Sequence, residues 1–141
     1  MKRVFVDSGG FVALLVPEDQ MHPRASALFE SASRERWTLM TTNAVVVETY
    51  SVLLARAKDG RGAAISFLDA VAEDQSQGDL AVERVRPEDE LNAFALLRAH
   101  SDKTYSLCDA LSFVVMERLG ISEAIAFDRH FREYGHFTIL R

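Results

Sequence analysis

The sequence predicts an α/β fold, a sandwich built on a mainly parallel sheet. Two observations predict it. Short apolar runs with strand character alternate along the chain with longer segments of helical periodicity, and a strand with a parallel neighbour needs a crossover, which is normally helical. The apolar content, 48% of 141 residues, is enough to bury one core, so a single domain over residues 1–141 is expected.

Arg3-Val-Phe-Val-Asp7 reads as a short buried strand, and Gly9-Gly10 suits a tight turn into an apolar helix that ends before Pro17. Pro23 stands where a helix can begin, and Ala25, Leu28, Phe29, Ala32 and Ser33 form a helical stripe that runs out near Arg36. Trp37 to Thr41 is a second strand. The run from Ala44 to Ala55 is too long and apolar for a surface strand, and Arg56-Ala-Lys58 closes it as a buried helix. Gly60 and Gly62 break the pattern before Ala63 to Ala72 resumes it, which predicts a helical hairpin. A polar turn, Asp74 to Asp79, leads into a strand over Leu80–Val85, and Pro87-Glu88-Asp89-Glu90 opens a helix that reaches His100. Ser106 to Leu119 is helical and stops at Gly120. Ala124 to Phe127 is an apolar strand ending on Asp128, and Phe137 to Leu140 is the last strand.

The net charge of −5 excludes a protein that coats nucleic acid by electrostatic attraction, so any nucleic acid must be held locally. Part of that acidic excess can equally be functional and cancelled by a cation. Phe11 to Val16, the longest apolar run, is far short of the roughly 20 residues that span a bilayer. Asp7-Ser8-Gly9-Gly10 interrupts the basic, apolar start before a secretory leader can form, so a cytoplasmic protein with no membrane contact is expected. Cys108, the only cysteine, has no partner for a disulfide or a zinc site and reads as a small buried thiol.

Four carboxylates stand at the edge of, or inside, strongly apolar segments: Asp7, Glu48, Asp109 and Asp128. Burying an unpaired carboxylate costs several kcal/mol, so each needs a specific partner. Three have a plain structural use. Asp7 and Asp128 end strands ahead of helices, and Ser106-x-x-Asp109 has nearly the form of a capping box. Glu48 lies well inside its helix, where its plain alternative is a buried arginine or lysine.

The sharper reading follows from the sheet. Strand carboxyl ends in an open parallel sheet share one edge, where ligands bind. Asp7 and Asp128 then face a common crevice, into which helices can aim Glu48 and Asp109. Oxygen ligands suit Mg²⁺ or Mn²⁺. Without a cation the cluster repels itself, and at least one carboxyl should have a raised pKa. A cation that also binds a phosphodiester oxygen polarises phosphorus, lowers the pKa of a bound water and stabilises the leaving oxygen, which is backbone hydrolysis of a nucleic acid.

The early Val6-Asp7-Ser8, the Thr42-Asn43-x-x-x-x-Glu48 helix and the stretch from Ser106-Leu-Cys-Asp109 to Ala126-Phe-Asp128-Arg-His-Phe131 resemble a PIN domain of the VapC toxin type. The resemblance covers essentially the whole chain, and its C-terminal half is the specific part. It implies a three-layer α/β/α fold, Mg²⁺- or Mn²⁺-dependent cleavage of RNA, and an active site at Asp7, Glu48, Asp109 and Asp128. It also implies frequent homodimers and a small antitoxin that blocks the acidic cleft, the pair forming a type II toxin–antitoxin system. Two departures stand out. Gly9-Gly10 replaces a hydroxyl or larger residue after the first Asp-Ser/Thr, and Cys108 replaces a common threonine, so Ser8 and Ser106 are placed only as supporting residues.

Arg129, His130, Arg132 and Lys103 could touch phosphates, but solvated charge is the plainer expectation for each. Trp37 and the phenylalanines are assigned to the core. A haloacid-dehalogenase-like phosphatase also begins with a strand-end aspartate, but it wants a second aspartate two residues on, where this chain has Gly9. The remaining alternative is a non-catalytic PIN-like module that binds RNA or protein, which would have no need of all four acids.

Overall fold

A computed structural model describes residues 2–141. Met1, the first residue of the basic start weighed above as a leader, lies outside the described residues. In chain order the elements are β1 (Arg3–Val6), α1 (Ser8–Leu15), α2 (His22–Glu35), β2 (Thr38–Thr42), α3 (Asn43–Arg56), α4 (Gly60–Gln77), β3 (Leu80–Glu83), α5 (Pro87–Ala99), α6 (Leu107–Leu119), β4 (Glu123–Ile125), α7 (Arg129–Tyr134) and β5 (Thr138–Ile139). The strands form one sheet in the order β3-β2-β1-β4-β5, and each pairing is parallel, so the sheet is parallel throughout.

Right-handed crossovers from β1 through β2 to β3 put α1 to α4 on one face, and the return to β4 and β5 puts α5 to α7 on the other. The result is the three-layer α/β/α sandwich. Strand alternation divides the core accordingly. Phe11 of α1 packs on Phe29 and Phe67, with ring centroids 6.1 and 5.3 Å away. Phe5 of β1 points to the opposite layer, where Phe131 lies 6.5 Å away and Phe113 lies 4.9 Å beyond that ring. Among the described residues no helix is long and apolar enough to cross a membrane.

Several boundaries differ from the sequence reading, each for a local reason. Gly60 and Gly62 lie inside α4, because the Asp59 side chain accepts the Gly62 N–H at 3.1 Å and caps the helix. A Cβ at Gly60 would stand 2.2 Å from the Leu54 carbonyl oxygen, so the glycine permits the tight α3–α4 corner rather than breaking a helix. The polar residues Asp74 to Gln77 are the solvated last turn of α4, not a loop. β3 stops at Glu83, and the Val85 N–H is taken by Asn43 Oδ1 at 2.9 Å. β4 ends at Ile125, so Ala126 and Phe127 carry the chain off the ladder before Asp128.

Candidate active site

The sheet order reverses at β1, whose neighbours are β2 on one side and β4 on the other. In doubly wound sheets the crevice beyond the carboxyl ends at such a point receives ligands. Asp7 stands there. Its N–H continues the ladder to the Ile125 carbonyl at 3.1 Å, and its own carbonyl accepts the Gly10 and Phe11 N–H groups that begin α1. A Cβ at Gly10 would meet the Ile125 carbonyl oxygen at 3.0 Å and Val6 Cγ1 at 3.2 Å. Glycine at this position therefore lets α1 start directly on β1 and β4, which fixes Asp7 in the crevice.

The side chain of Asp7 makes no capping bond, is 2% exposed, and leaves Oδ1 with no hydrogen-bond partner. A cap is thus the wrong account of this residue. Its carboxyl pKa is pushed up to about 7, first by burial and then by Asp109, Glu48 and Asp128, while the Ser8 backbone N–H works in the other direction. Asp7 therefore feels the charge of the other three acids, and the one with the least water is the one that resists ionisation.

Glu48 reaches the cluster from the second turn of α3. Thr42 caps that helix by accepting the Val45 N–H at 3.1 Å, and Thr41 Oγ1 donates to the Val6 carbonyl at 2.8 Å, tying β2 to the end of β1. No cation partners Glu48 among the described residues, which removes the buried-arginine alternative. Instead the Cys108 thiol donates to it, and burial, Glu48, Asp7 and Asp109 push that thiol well above its ordinary pKa. Cys108 is a neutral donor rather than a nucleophile.

Asp109 and Asp128 combine the two uses weighed from sequence. Asp109, 4% exposed, closes a capping box: Ser106 Oγ accepts its N–H at 3.0 Å, and its Oδ2 accepts the Ser106 N–H at 3.0 Å. Asp128 Oδ1 accepts the His130 N–H at 2.7 Å and caps α7. Each spends one oxygen on a cap, and Asp109 Oδ1 and Asp128 Oδ2 keep no hydrogen-bond partner among the described residues.

His130 overturns the expectation of a solvated side chain. Its ring is 15% exposed, with Nδ1 2.7 Å from Asp109 Oδ2 and 3.2 Å from Asp128 Oδ1. Tyr105 packs edge-on against it, and Thr104 Oγ1 lies 3.4 Å from Nε2. The Asp128-x-His130 spacing was the available signal, since a residue in the first turn can fold its side chain back over its own cap. Asp109, 21 residues earlier, comes only from the tertiary fold. Lys103 pairs with Asp102 at 3.5 Å and Arg129 with Glu133 at 4.0 Å, in keeping with solvated charge.

Ligand atoms of Asp109, Asp128 and His130 lie within 4.8 Å of one another. Asp7, with Oδ1 unpartnered, feels the charge of both aspartates, and the carboxylate oxygens of this group, with His130 Nδ1 spent on Asp109 and Asp128, suit a hard divalent cation. The PIN domain family model matches residues 4–136. This chain belongs to the PIN-domain family. The 23S rRNA-specific endonuclease VapC20 of Mycobacterium tuberculosis is 35% identical over 136 residues, covering 96% of this chain and 97% of that one. The crystal structure of VapC20, described as a sarcin–ricin loop cleaving toxin, superposes with a TM-score of 0.82 at 33% identity, over 94% of this chain and 95% of the other. VapBC2 from Rickettsia felis, solved with a promoter DNA fragment, shares the fold at a TM-score of 0.67 and 12% identity, over 98% and 97% of the chains.

Proposed function

We propose that this chain is a single PIN domain that acts as a Mg²⁺- or Mn²⁺-dependent endoribonuclease, the toxin of a type II toxin–antitoxin pair working in the cytoplasm, with Asp7, Glu48, Asp109 and Asp128 as its catalytic, metal-holding residues. The observation that carries the reading is the Asp7 carboxylate, buried beside three other acids with one oxygen unpartnered. The near full-length likeness to a ribosomal-RNA endonuclease supports RNA as the substrate. A divalent cation bound there supplies polarisation of a phosphodiester oxygen and neutralises the acids.

The other residues hold the acids in place. Ser106 fixes the Asp109 carboxylate through its N–H, the Cys108 thiol orients Glu48, and Ser8 presents its N–H to Asp7. His130 donates between Asp109 and Asp128 and keeps their free oxygens turned to the same space. A small antitoxin and a homodimer complete the reading. Val47, 67% exposed, and Leu107, 47% exposed, are apolar side chains left on the surface of α3 and α6, the helices that carry Glu48 and Asp109, for a partner to cover.

The test is cleavage of labelled rRNA fragments by the purified protein in Mn²⁺, in Mg²⁺ and in EDTA, with melting temperature recorded in each and light scattering to read the dimer. Cutting and a rise in Tm that both require cation are expected. A wild-type protein that neither cuts nor responds to cation would remove the nuclease reading in favour of a binding module. His130→Ala should lower Mn²⁺ affinity about 10- to 100-fold by calorimetry, whereas His130→Asn, which keeps a donor near Nδ1, should recover most of it. Equal affinity in His130→Ala and wild type would reduce the ring to packing.

A further inference from the structure

A cavity lined by three arginines borders the segment that carries Asp128. This cavity, of about 230 Å³, opens between the start of α2, the segment after β4, α7 and the last residues of the chain, and Arg24, Arg132 and Arg141 line it over a floor that includes Met21, Phe127 and Leu140. Phe127 is the residue before Asp128, so the cavity borders the segment that carries one of the four acids. None of the three arginines has an ion pair among the described residues, and no carboxylate side chain lines this cavity. Two further cavities differ: Arg36 shares one with Asp74 and Asp79, and Arg118 shares another with Glu88, Asp89 and Glu117.

Three exposed arginines thus line one cavity with no carboxylate side chain among its lining residues. Like charges held together repel, and Arg24 stands in the first turn of α2, the helix end that disfavours a cation. An anion relieves both costs. Guanidinium is also the group whose planar fork suits phosphate. The cavity is below the roughly 300–1,000 Å³ of self-sufficient small-molecule pockets, while its floor is apolar and partly aromatic. These features describe a site for one unit of a longer anionic chain, with the phosphate on the arginines and a base or ribose on the floor.

We propose that Arg24, Arg132 and Arg141 form a subsite for the nucleotide next to the cleaved phosphodiester. This deepens the ribonuclease reading and rests on it. In a chain of net charge −5, RNA beyond the reach of the bound cation meets repulsion, and a cluster of arginines offers it a cationic contact.

The experiment measures cleavage of a short single-stranded RNA in Mn²⁺ across a KCl series, together with anisotropy of the same RNA in Ca²⁺, for wild type, Arg24→Ala, Arg132→Ala and Arg36→Asn. Arg36 is the control for charge. It lies at the opposite edge of the sheet beside Thr38, and asparagine tolerates its left-handed φ of 58°. Arg24→Ala and Arg132→Ala should each raise KM about five- to tenfold with kcat within about twofold. Each should also flatten the log–log salt dependence by about 0.7, the value for one lost phosphate contact on a single strand. Tm unchanged in all four confirms that they are folded. Variants that track Arg36→Asn in KM and in salt slope overturn the subsite while leaving the nuclease intact. RNA that is bound through these arginines but never cut sinks the nuclease, and with it a subsite defined by the cleaved bond, leaving an RNA-binding surface in its place.

Discussion

Asp7→Asn is expected to abolish RNA cleavage while making the metal-free protein more stable. The wild-type carboxyl titrates near pH 7 in the folded chain against about 3.9 unfolded. Between those values the native state holds a proton that the unfolded state has lost, so stability falls as pH rises through this window and the penalty is complete above about pH 7. At about 1.4 kcal/mol per unit the upper bound is about 4 kcal/mol. Asparagine removes the charge, and its amide can donate to the neighbouring carboxylates. A gain of about 1–3 kcal/mol at pH 8, or roughly 3–10 °C in Tm, should shrink towards zero by about pH 4. Cleavage should fall on the order of 10²- to 10⁴-fold, because cation stabilisation of the transition state is worth several kcal/mol. The rise of Tm on adding Mn²⁺ should be lost as well. An Asp7→Asn protein less stable than wild type at pH 8 would show that the carboxylate is a structural partner and not a strained functional one.

Breaking the Asp89–Arg118 pair should cost the fold about 3–5 kcal/mol. Asp89 is 1% exposed and accepts from Arg118 Nε at 2.9 Å and Nη2 at 2.8 Å, and from the Arg86 N–H at 2.9 Å, while Arg118 Nη1 reaches Glu83 at 3.2 Å. The guanidinium holds the Asp89 carboxyl below the usual carboxylate range. Its contribution is therefore present above about pH 4 and is lost as pH falls further. Arg118→Met leaves a buried anion unpaired, whereas the Asp89→Leu/Arg118→Met double variant leaves none and should be the more stable of the two. Urea midpoints at pH 7 decide it: a single variant within about 0.5 kcal/mol of wild type would mean that the pair is incidental. This cluster joins the end of β3, the start of α5 and the end of α6, so its loss loosens the α5–α6 layer on which Asp109 rides.

The sequence by itself determined the class of fold, because apolar period and turn residues are local properties. The strand after Lys2, the apolar helix at Glu48 and the stop at Gly120 all follow from residues within a few positions of one another. It also marked the four acids, since a carboxylate inside an apolar run is anomalous wherever it lands. Boundaries that depend on distant contacts were decided elsewhere. Gly60 has to be glycine because the Leu54 carbonyl of the preceding helix leaves no room for a Cβ, and β3 ends where Asn43 takes the Val85 N–H.

Only the tertiary structure decided which of the plain and the functional readings held for each acid. Asp109 and Asp128 are caps and cluster members at once, because a carboxylate has two oxygens and a cap uses one. Asp7 occupies a capping position yet caps nothing, because Gly10 lets α1 lie so close to β1 and β4 that the side chain is enclosed. His130 and Arg132, weighed from sequence as phosphate contacts but set aside as solvated charge, and Arg24 and Arg141, not singled out at all, were under-read for the same physical reason. An isolated charged side chain in a short helix or a chain end carries no periodic signature. Its use is set by which groups from distant segments the sheet order brings within a few ångströms.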